Sequence, residues 1–559
     1  MARFLIVALV AATVGCFSCA PKPAENETPS TMPKTEAVPL PRGRAAAAPK
    51  LVVLIIVDQL GSWVLDSYLP LLPKSSLLRR VSEQGVYLQA AFPFASTQTA
   101  PGHTSLATGV PPSMHGVVAN AVFDPERGPV KIVDDHQHTV IGNPERFVSP
   151  LAVAVPAVAD ALRQKTNGEA KIVGISMKAR AAALSVGKGP TAAVFFDAKA
   201  QSLTTSTYYA PNGRLPEWLS DFIRANPVER LLEVWEPEQP RWLEARLGPY
   251  ARDAQDDQEG QAALSFAHDP KQAPDPYAAF SAVPESTDYL IAGAFAAVKA
   301  EGMGLDESPD LLVLGVSGTD IVGHMWGARS WEYADNLLRT DRALGRFASI
   351  LQSRGPVAFV LTADHGVAAM PERVRREGGI AGRIAHDAVM THAERAADAS
   401  LGAGDWIAAY VPPLITYTKA GRERHRELTR VLGKAMPRLQ GVRAVYDAPR
   451  GADLRASNQL IERLVGASLP ADPPGDLYLV TDEGWFDALA DRGGTNHGTP
   501  WPYDRQVPIL MWGTAIEPRV SNRVHSALSV ATTVAALLDV PAPALAPQEP
   551  LPGVMRLHD

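Results

Sequence analysis

The chain has 559 residues, 46% of them apolar and 20% charged, with a formal net charge of −7. That length and apolar share allow a large buried core, and the negative balance excludes a nucleic-acid-binding face as the main function. Both cysteines, Cys16 and Cys19, stand near the start, so the rest of the chain has neither disulfide nor thiolate ligand, and any metal site there must be built from His and carboxylate.

Residues 1–19 read as an export signal, in which Arg3 gives a positive start and Phe4 to Val14 an apolar stretch too short to span a bilayer. Cys16 or Cys19 at its end points to a bacterial lipoprotein signal, with one of them becoming the lipidated N-terminus. Thr13 or Cys16 stands where such signals prefer Leu, so ordinary cleavage near Ala20 stays open. Residues 20–49, rich in Pro, Ala, Glu and Thr, read as a flexible tether.

From residue 50 onward, short β-rich apolar runs alternate with longer helical patterns. That alternation predicts an α/β fold with a central, mostly parallel sheet sandwiched by helices. Strands are predicted at 51–57, 171–175, 311–316, 357–362 and 507–512, and helices at 73–84, 100–108, 156–164, 285–300, 331–353 and 524–538. A catalytic domain is expected over 50–515, with inserted cap segments at about 200–280 and 372–485, and 516–559 completing it as a helix and tail. In the first insertion, Asp253, Asp256, Asp257 and Glu259 form an acidic patch that reads as solvated surface rather than a calcium loop.

Six side chains of metal-ligand type are scattered over this domain. Asp58 ends the apolar run Leu51 to Val57; Asp320 and His324 lie one helical turn apart, on one face; Asp364 and His365 end the run Val357 to Ala363. Gly366 is expected to permit the sharp turn that adjacent ligands need. His497 sits in a loop, Gly-Gly-Thr-Asn-His-Gly-Thr. In sheets of this kind ligands collect at the carboxyl ends of strands, and Asp58, Lys178, Asp320, Asp364 and His365 all follow predicted strands. Three Asp and three His can hold two divalent metals with a position left open on each. Thr99 precedes Ala100 and Pro101, and Pro suits a first helical turn. Thr99 is therefore expected at or near a helix N-terminus, either as its cap or as a hydroxyl facing a phosphate held by free N–H groups.

Taken together and in this order, these segments resemble the alkaline phosphatase superfamily, which also holds nucleotide pyrophosphatases/phosphodiesterases, cofactor-independent phosphoglycerate mutases and sulfatases. The likeness runs from residue 51 to about 513. Asn120, and the Lys-x-Arg of Lys178 and Arg180, narrow it to the single-subunit, phosphate-irrepressible alkaline phosphatases of Gram-negative bacteria. The resemblance implies two Zn2+, one held by Asp320, His324 and His497 and the other by Asp58, Asp364 and His365, with Thr99 bound beside it as a further metal ligand. It implies Thr99 as the nucleophile of a covalent phosphothreonine, and Asn120, Lys178 and Arg180 on the phosphoryl oxygens.

Small phosphate monoesters, over a broad range, are the expected substrates. A monoester dianion carries an extra charged oxygen that a Lys and an Arg can neutralise, whereas a diester puts a carbon group there. His and carboxylate also suit manganese, cobalt or iron. Thr99-Ala-Pro-Gly-His103 lacks the convertible Cys or Ser and the Arg that sulfatases need. His103 and His115 are expected to support the site without ligating, and His136 and His138 to stand outside it. A monomer is expected, exported to the periplasm or held at the outer membrane as a lipoprotein. Two alternatives remain at this stage: a phosphodiesterase or nucleotide pyrophosphatase of the same superfamily, and a non-catalytic envelope protein that binds metal or phosphate.

Overall fold

Strand β1 (Leu51–Val57) is buried along its whole length, as are β6 (Asp310–Val316) and β7 (Val357–Thr362) on either side of it. Strands covered on both faces by helices read as continuous apolar runs, which is why these three are plain in the sequence. They form the centre of a nine-stranded sheet in the computed structural model, which describes residues 48–250, 266–488 and 494–555. The export signal, residues 20–47 of the tether and the acidic patch around Asp256 lie outside the described residues.

The other six strands are β2 (Val86–Ala91), β3 (Ile172–Ser176), β4 (Ala192–Asp197), β5 (Ser202–Thr204), β8 (Gln506–Gly513) and β9 (Arg519–Ser526). The order across the sheet is β9-β2-β8-β7-β1-β6-β3-β4-β5. Parallel pairing joins β7 to β1, β1 to β6, β6 to β3 and β3 to β4. Strand β8 runs antiparallel to both its neighbours, β9 lies parallel to β2, and β5 is antiparallel on the far edge. The expected mostly parallel sheet is therefore present. Its register sets Val57 opposite Val316, and Ile56 opposite Thr362, so β1, β6 and β7 end level with one another.

One expected element is replaced. The helix predicted at 524–538 spans only Ser529–Leu537, because residues 519–526 are the edge strand β9. Val520 and Val524 on that strand are 68% and 50% exposed. Pairing with β2 holds the segment extended, a tertiary contact that local spacing cannot announce.

The segment 372–485 builds a sheet of its own, in the order Ile407–Val411, Leu414–Tyr417, Leu477–Thr481, Val442–Asp447. Helices His386–Leu401 and His425–Ala435 back it, burying Val389, Ala393, Leu428 and Leu432 against Tyr417 and Leu479. Among the described residues, the segment 200–280 makes no such unit. Its Trp235 is buried, and the indole N–H donates to Asp335 on the helix Trp331–Arg354 at 2.8 Å, tying the segment to the main body. Among the described residues no helix is long and apolar enough to cross a membrane.

Candidate active site

Because β1, β6 and β7 are neighbours that end level, the segments leaving them converge. Asp58 follows β1 directly, Asp320 lies in the first turn of the helix Gly318–Trp326 after β6, and Asp364 and His365 follow β7. His324 Nε2 is 3.2 Å from Asp320 Oδ1, and His497 Nε2 is 3.5 Å from the same oxygen. His365 Nε2 lies 3.3 Å from both Asp58 Oδ1 and Asp364 Oδ2. The six expected ligands thus meet in two abutting groups, with the His365 and His497 rings stacked at 3.5 Å between them. The donor atoms of Asp58, Asp364 and His365 all fall within 4.8 Å of one another, as do those of Asp320, His365 and His497.

The three histidines are oriented alike. Nδ1 of His324 bonds the Thr495 carbonyl at 2.9 Å, Nδ1 of His365 the Gly366 carbonyl at 2.9 Å, and Nδ1 of His497 the Thr97 carbonyl at 2.7 Å. A carbonyl can only accept, so each Nδ1 carries a proton and each Nε2 is the atom turned to the carboxylates. That is how a protein prepares imidazoles for a metal. Asp58 Oδ1, Asp364 Oδ2 and His365 Nε2 are buried with no hydrogen-bond partner among the described residues. Three such atoms facing one point are costly unless something satisfies them. A divalent cation fits that donor set.

The electrostatics are set by the crowding of these buried acids and imidazoles. Burial and the Asp58 charge push the Asp364 carboxyl up to about 8. Burial opposes charge on His365, but Asp364 and Asp58 outweigh it and bring that imidazole to about 9. At Asp58, burial and the Asp320 charge are overcome by Lys178 and His365, which hold the carboxyl well below its usual range. Burial and the charge on His365 lower His497 to about 3, which keeps it neutral, as a ligand must be.

Thr99 is the first helical residue of Thr99–Thr108, with Gln98 in the capping position, so the hydroxyl does not cap. Instead Thr99 Oγ1 accepts from Arg180 Nη2 at 3.4 Å. Asn120 Oδ1 accepts from the Ala100 N–H at 2.8 Å, leaving its Nδ2 to donate. Lys178 precedes the helix Ala179–Leu184 and donates from Nζ to Asp58 Oδ2 and Asp320 Oδ2. The expectation that free backbone N–H groups hold a phosphate narrows to one group, the Thr99 N–H. The Ala100 N–H is taken by Asn120, Pro101 has none, and the Gly102 N–H bonds the Gln98 carbonyl.

Other expectations resolve as follows. Gly366 is not in a left-handed conformation; a Cβ there would lie 2.1 Å from the Tyr503 carbonyl oxygen, so close approach, not a turn, demands glycine. His103 lies behind the site, its Nε2 3.5 Å from Asp364 Oδ2 and its Nδ1 2.9 Å from Ser185 Oγ, and His115 bonds Ser105 Oγ. His136 and His138 pair with Arg127, Asp134 and Asp135, away from the cluster. Two contributors carried no mark in the sequence. Gln59 is buried between Asp320 and Asp364, and Gln98 joins the site to the 372–485 segment by donating from Nε2 to the Pro412 carbonyl at 3.1 Å.

Residues 52–500 match the type I phosphodiesterase / nucleotide pyrophosphatase family. The chain belongs to that family. This family member is 28% identical to alkaline phosphatase PhoV of Synechococcus elongatus over 97% of its own length and 98% of that protein's. It is 28% identical to alkaline phosphatase PafA of Elizabethkingia meningoseptica over 93% and 96% of the two chains. The crystal structure of wild-type PafA superposes with a TM-score of 0.81 at 27% identity, covering 92% of this chain and all of the other. The fold is alkaline-phosphatase-like, and the chain is an enzyme of phosphoester hydrolysis.

Proposed function

We propose that this enzyme is an alkaline phosphatase that hydrolyses phosphate monoesters of broad range through a covalent phosphothreonine, with two Zn2+ as cofactors. The observation that carries the reading is Thr99 Oγ1, free of capping duty and in reach of Arg180, at the start of a helix whose Gly102 and His103 abut Asp364 and whose preceding Thr97 carbonyl holds His497. Divalent ions held by Asp320, His324 and His497 and by Asp58, Asp364 and His365 would supply Lewis acidity to the phosphoryl oxygens and lower the pKa of a neighbouring hydroxyl. Thr99 Oγ1 loses its proton and bonds to phosphorus while the bond from phosphorus to the leaving oxygen breaks. Asn120 and Arg180 hold the oxygens of the transferring group, and the Lys178 ammonium matches the added charge of a monoester. Water then cleaves the phosphothreonine, releasing phosphate and restoring the hydroxyl.

The test compares kcat/KM for an aryl phosphate and its diester in wild type, Lys178→Ala and Arg180→Ala. Monoester turnover should fall by about 10²–10³-fold in each variant, the cost typical of losing one group that stabilises transition-state charge. Diester turnover should fall far less. The family description favours one second reading, a phosphodiesterase or nucleotide pyrophosphatase. Diester preference that survives both substitutions would establish it. No turnover of either ester by zinc-loaded protein would leave a binding protein.

We also propose a monomer exported to the periplasm or outer membrane, with Cys16 or Cys19 lipidated. Cell fractionation should find the wild type with membranes and one Cys→Ala variant released; unchanged fractionation of both would remove the anchor.

A further inference from the structure

Gln59 occupies the position after Asp58 with φ +69°, a left-handed conformation that Gln seldom adopts. It is fully buried. That backbone turn has two results. The Gln59 N–H donates to Asp364 Oδ1 at 3.3 Å, and the side chain swings back so that Nε2 donates to Asp320 Oδ1 at 2.9 Å. Asp320 Oδ1 is the oxygen that faces His324 and His497. With Asp364 Oδ1 engaged, Asp364 Oδ2 is the atom turned to His365. One residue therefore orients a carboxylate from each ligand group.

The side chain is held in place by the helix that carries Asp320 and His324. A Cβ on Gly323 would lie 1.8 Å from Gln59 Oε1, so the amide fits only against glycine. A buried polar side chain in an unfavourable backbone region points to a role at the site it touches. Groups that hydrogen-bond ligating carboxylates fix both their direction and their basicity.

We infer that Gln59 is the positioning residue that couples the two metal groups, its amide aiming Asp320 and its main chain aiming Asp364. The inference rests on the proposed two-ion site. It separates the two halves of the residue's action, because Gln59→Met keeps the main-chain N–H and the length of the side chain but loses the donor to Asp320.

The test is stepwise chelator titration of zinc-loaded protein with elemental analysis of retained metal. Wild type should hold two ions; fewer would overturn the two-ion reading itself. In Gln59→Met one ion should bind 10–100-fold more weakly, the usual cost of removing such a partner, while the other keeps its affinity. Gly323→Ala leaves Gln59 in the chain but displaces its amide, and should give the same one-ion pattern. The double variant should lose no more than the worse single variant, as expected when both act on one contact. Two ions retained at wild-type affinity in Gln59→Met would overturn the inference, and so would the joint loss of both, which marks a general structural role.

Discussion

At Thr99 the functional proposal reduces to one oxygen atom. Its hydroxyl is buried at the start of a helix, yet Gln98 takes the capping position and Arg180 takes the hydrogen bond. Thr99→Ala should therefore keep its metal, since the six ligands lie elsewhere, but lose kcat by roughly three orders of magnitude or more, as loss of an activated nucleophile does. His324→Ala should weaken metal binding as well as turnover. Steady-state kinetics beside elemental analysis separates the two, and ordinary turnover in Thr99→Ala would mean that water attacks phosphorus directly. The residues of this site differed in how far the sequence disclosed them. An Asp that ends an apolar run, or a Thr before Ala-Pro-Gly, has a neighbourhood that marks it. Gln59 has none, because its contact with Asp320 depends on a left-handed backbone that a Gln does not advertise. Gly366 was legible as necessary but not for the right reason, since the Tyr503 carbonyl that excludes a side chain there lies far along the chain.

Among the elements, the central strands buried on both sides could be read directly, and β1 and the helix Glu285–Ala300 fall on their predicted bounds, although β4, equally buried, was not foreseen. Edge strands could not, since β9 owes its form to β2 rather than to its own residues. The helix Leu77–Gln84 shows how far such dependence reaches. Ser76 accepts from Arg79 at its N-terminus, but the Leu77 and Leu78 N–H groups donate at 3.1 and 2.7 Å to Asp341, distant in sequence. Burial pushes that carboxyl from 3.8 up to about 6, against the two N–H groups that favour its charge. The folded state therefore holds its proton more tightly than the unfolded chain, and stability falls as pH rises from about 4 to about 6. At 1.36 kcal/mol per pKa unit the fall is about 3 kcal/mol. Asp341→Asn cannot lose that proton and has one acceptor fewer, so it should be the less stable form near pH 4. Its deficit against wild type should shrink by about 3 kcal/mol by pH 7, measured by denaturant unfolding at each pH. A difference that stays constant with pH would show that Asp341 titrates normally.

At the scale of the whole molecule, the site is a meeting of segments that the chain keeps far apart. Asp58, Asp320 and Asp364 converge because β6, β1 and β7 are adjacent strands about 4.8 Å apart that end level, and no composition or spacing could have ordered those strands. His497 has no strand beneath it. Its loop is fastened by side chains and carbonyls: Thr495 Oγ1 donates to the Ala368 carbonyl, Arg383 Nη2 donates to the Gly494 carbonyl at 2.8 Å, and His324 bonds Thr495. Metal ions here would thus join the sheet, the helix Gly318–Trp326 and this loop, and their removal should be felt by the fold. Ligand at a thousand times its Kd contributes about 4 kcal/mol per site, and a chain of this size shifts in Tm by about 1 °C per kcal/mol. Chelation should lower Tm by about 8 °C, and zinc should restore it. Hydrogen exchange should rise first around 494–500 and in the Gly318–Trp326 helix, while β1, held by parallel neighbours on both sides, keeps its protection. A Tm that chelators leave untouched, with exchange unchanged around His497, would show that the carboxylate–imidazole cluster folds without any ion to join it.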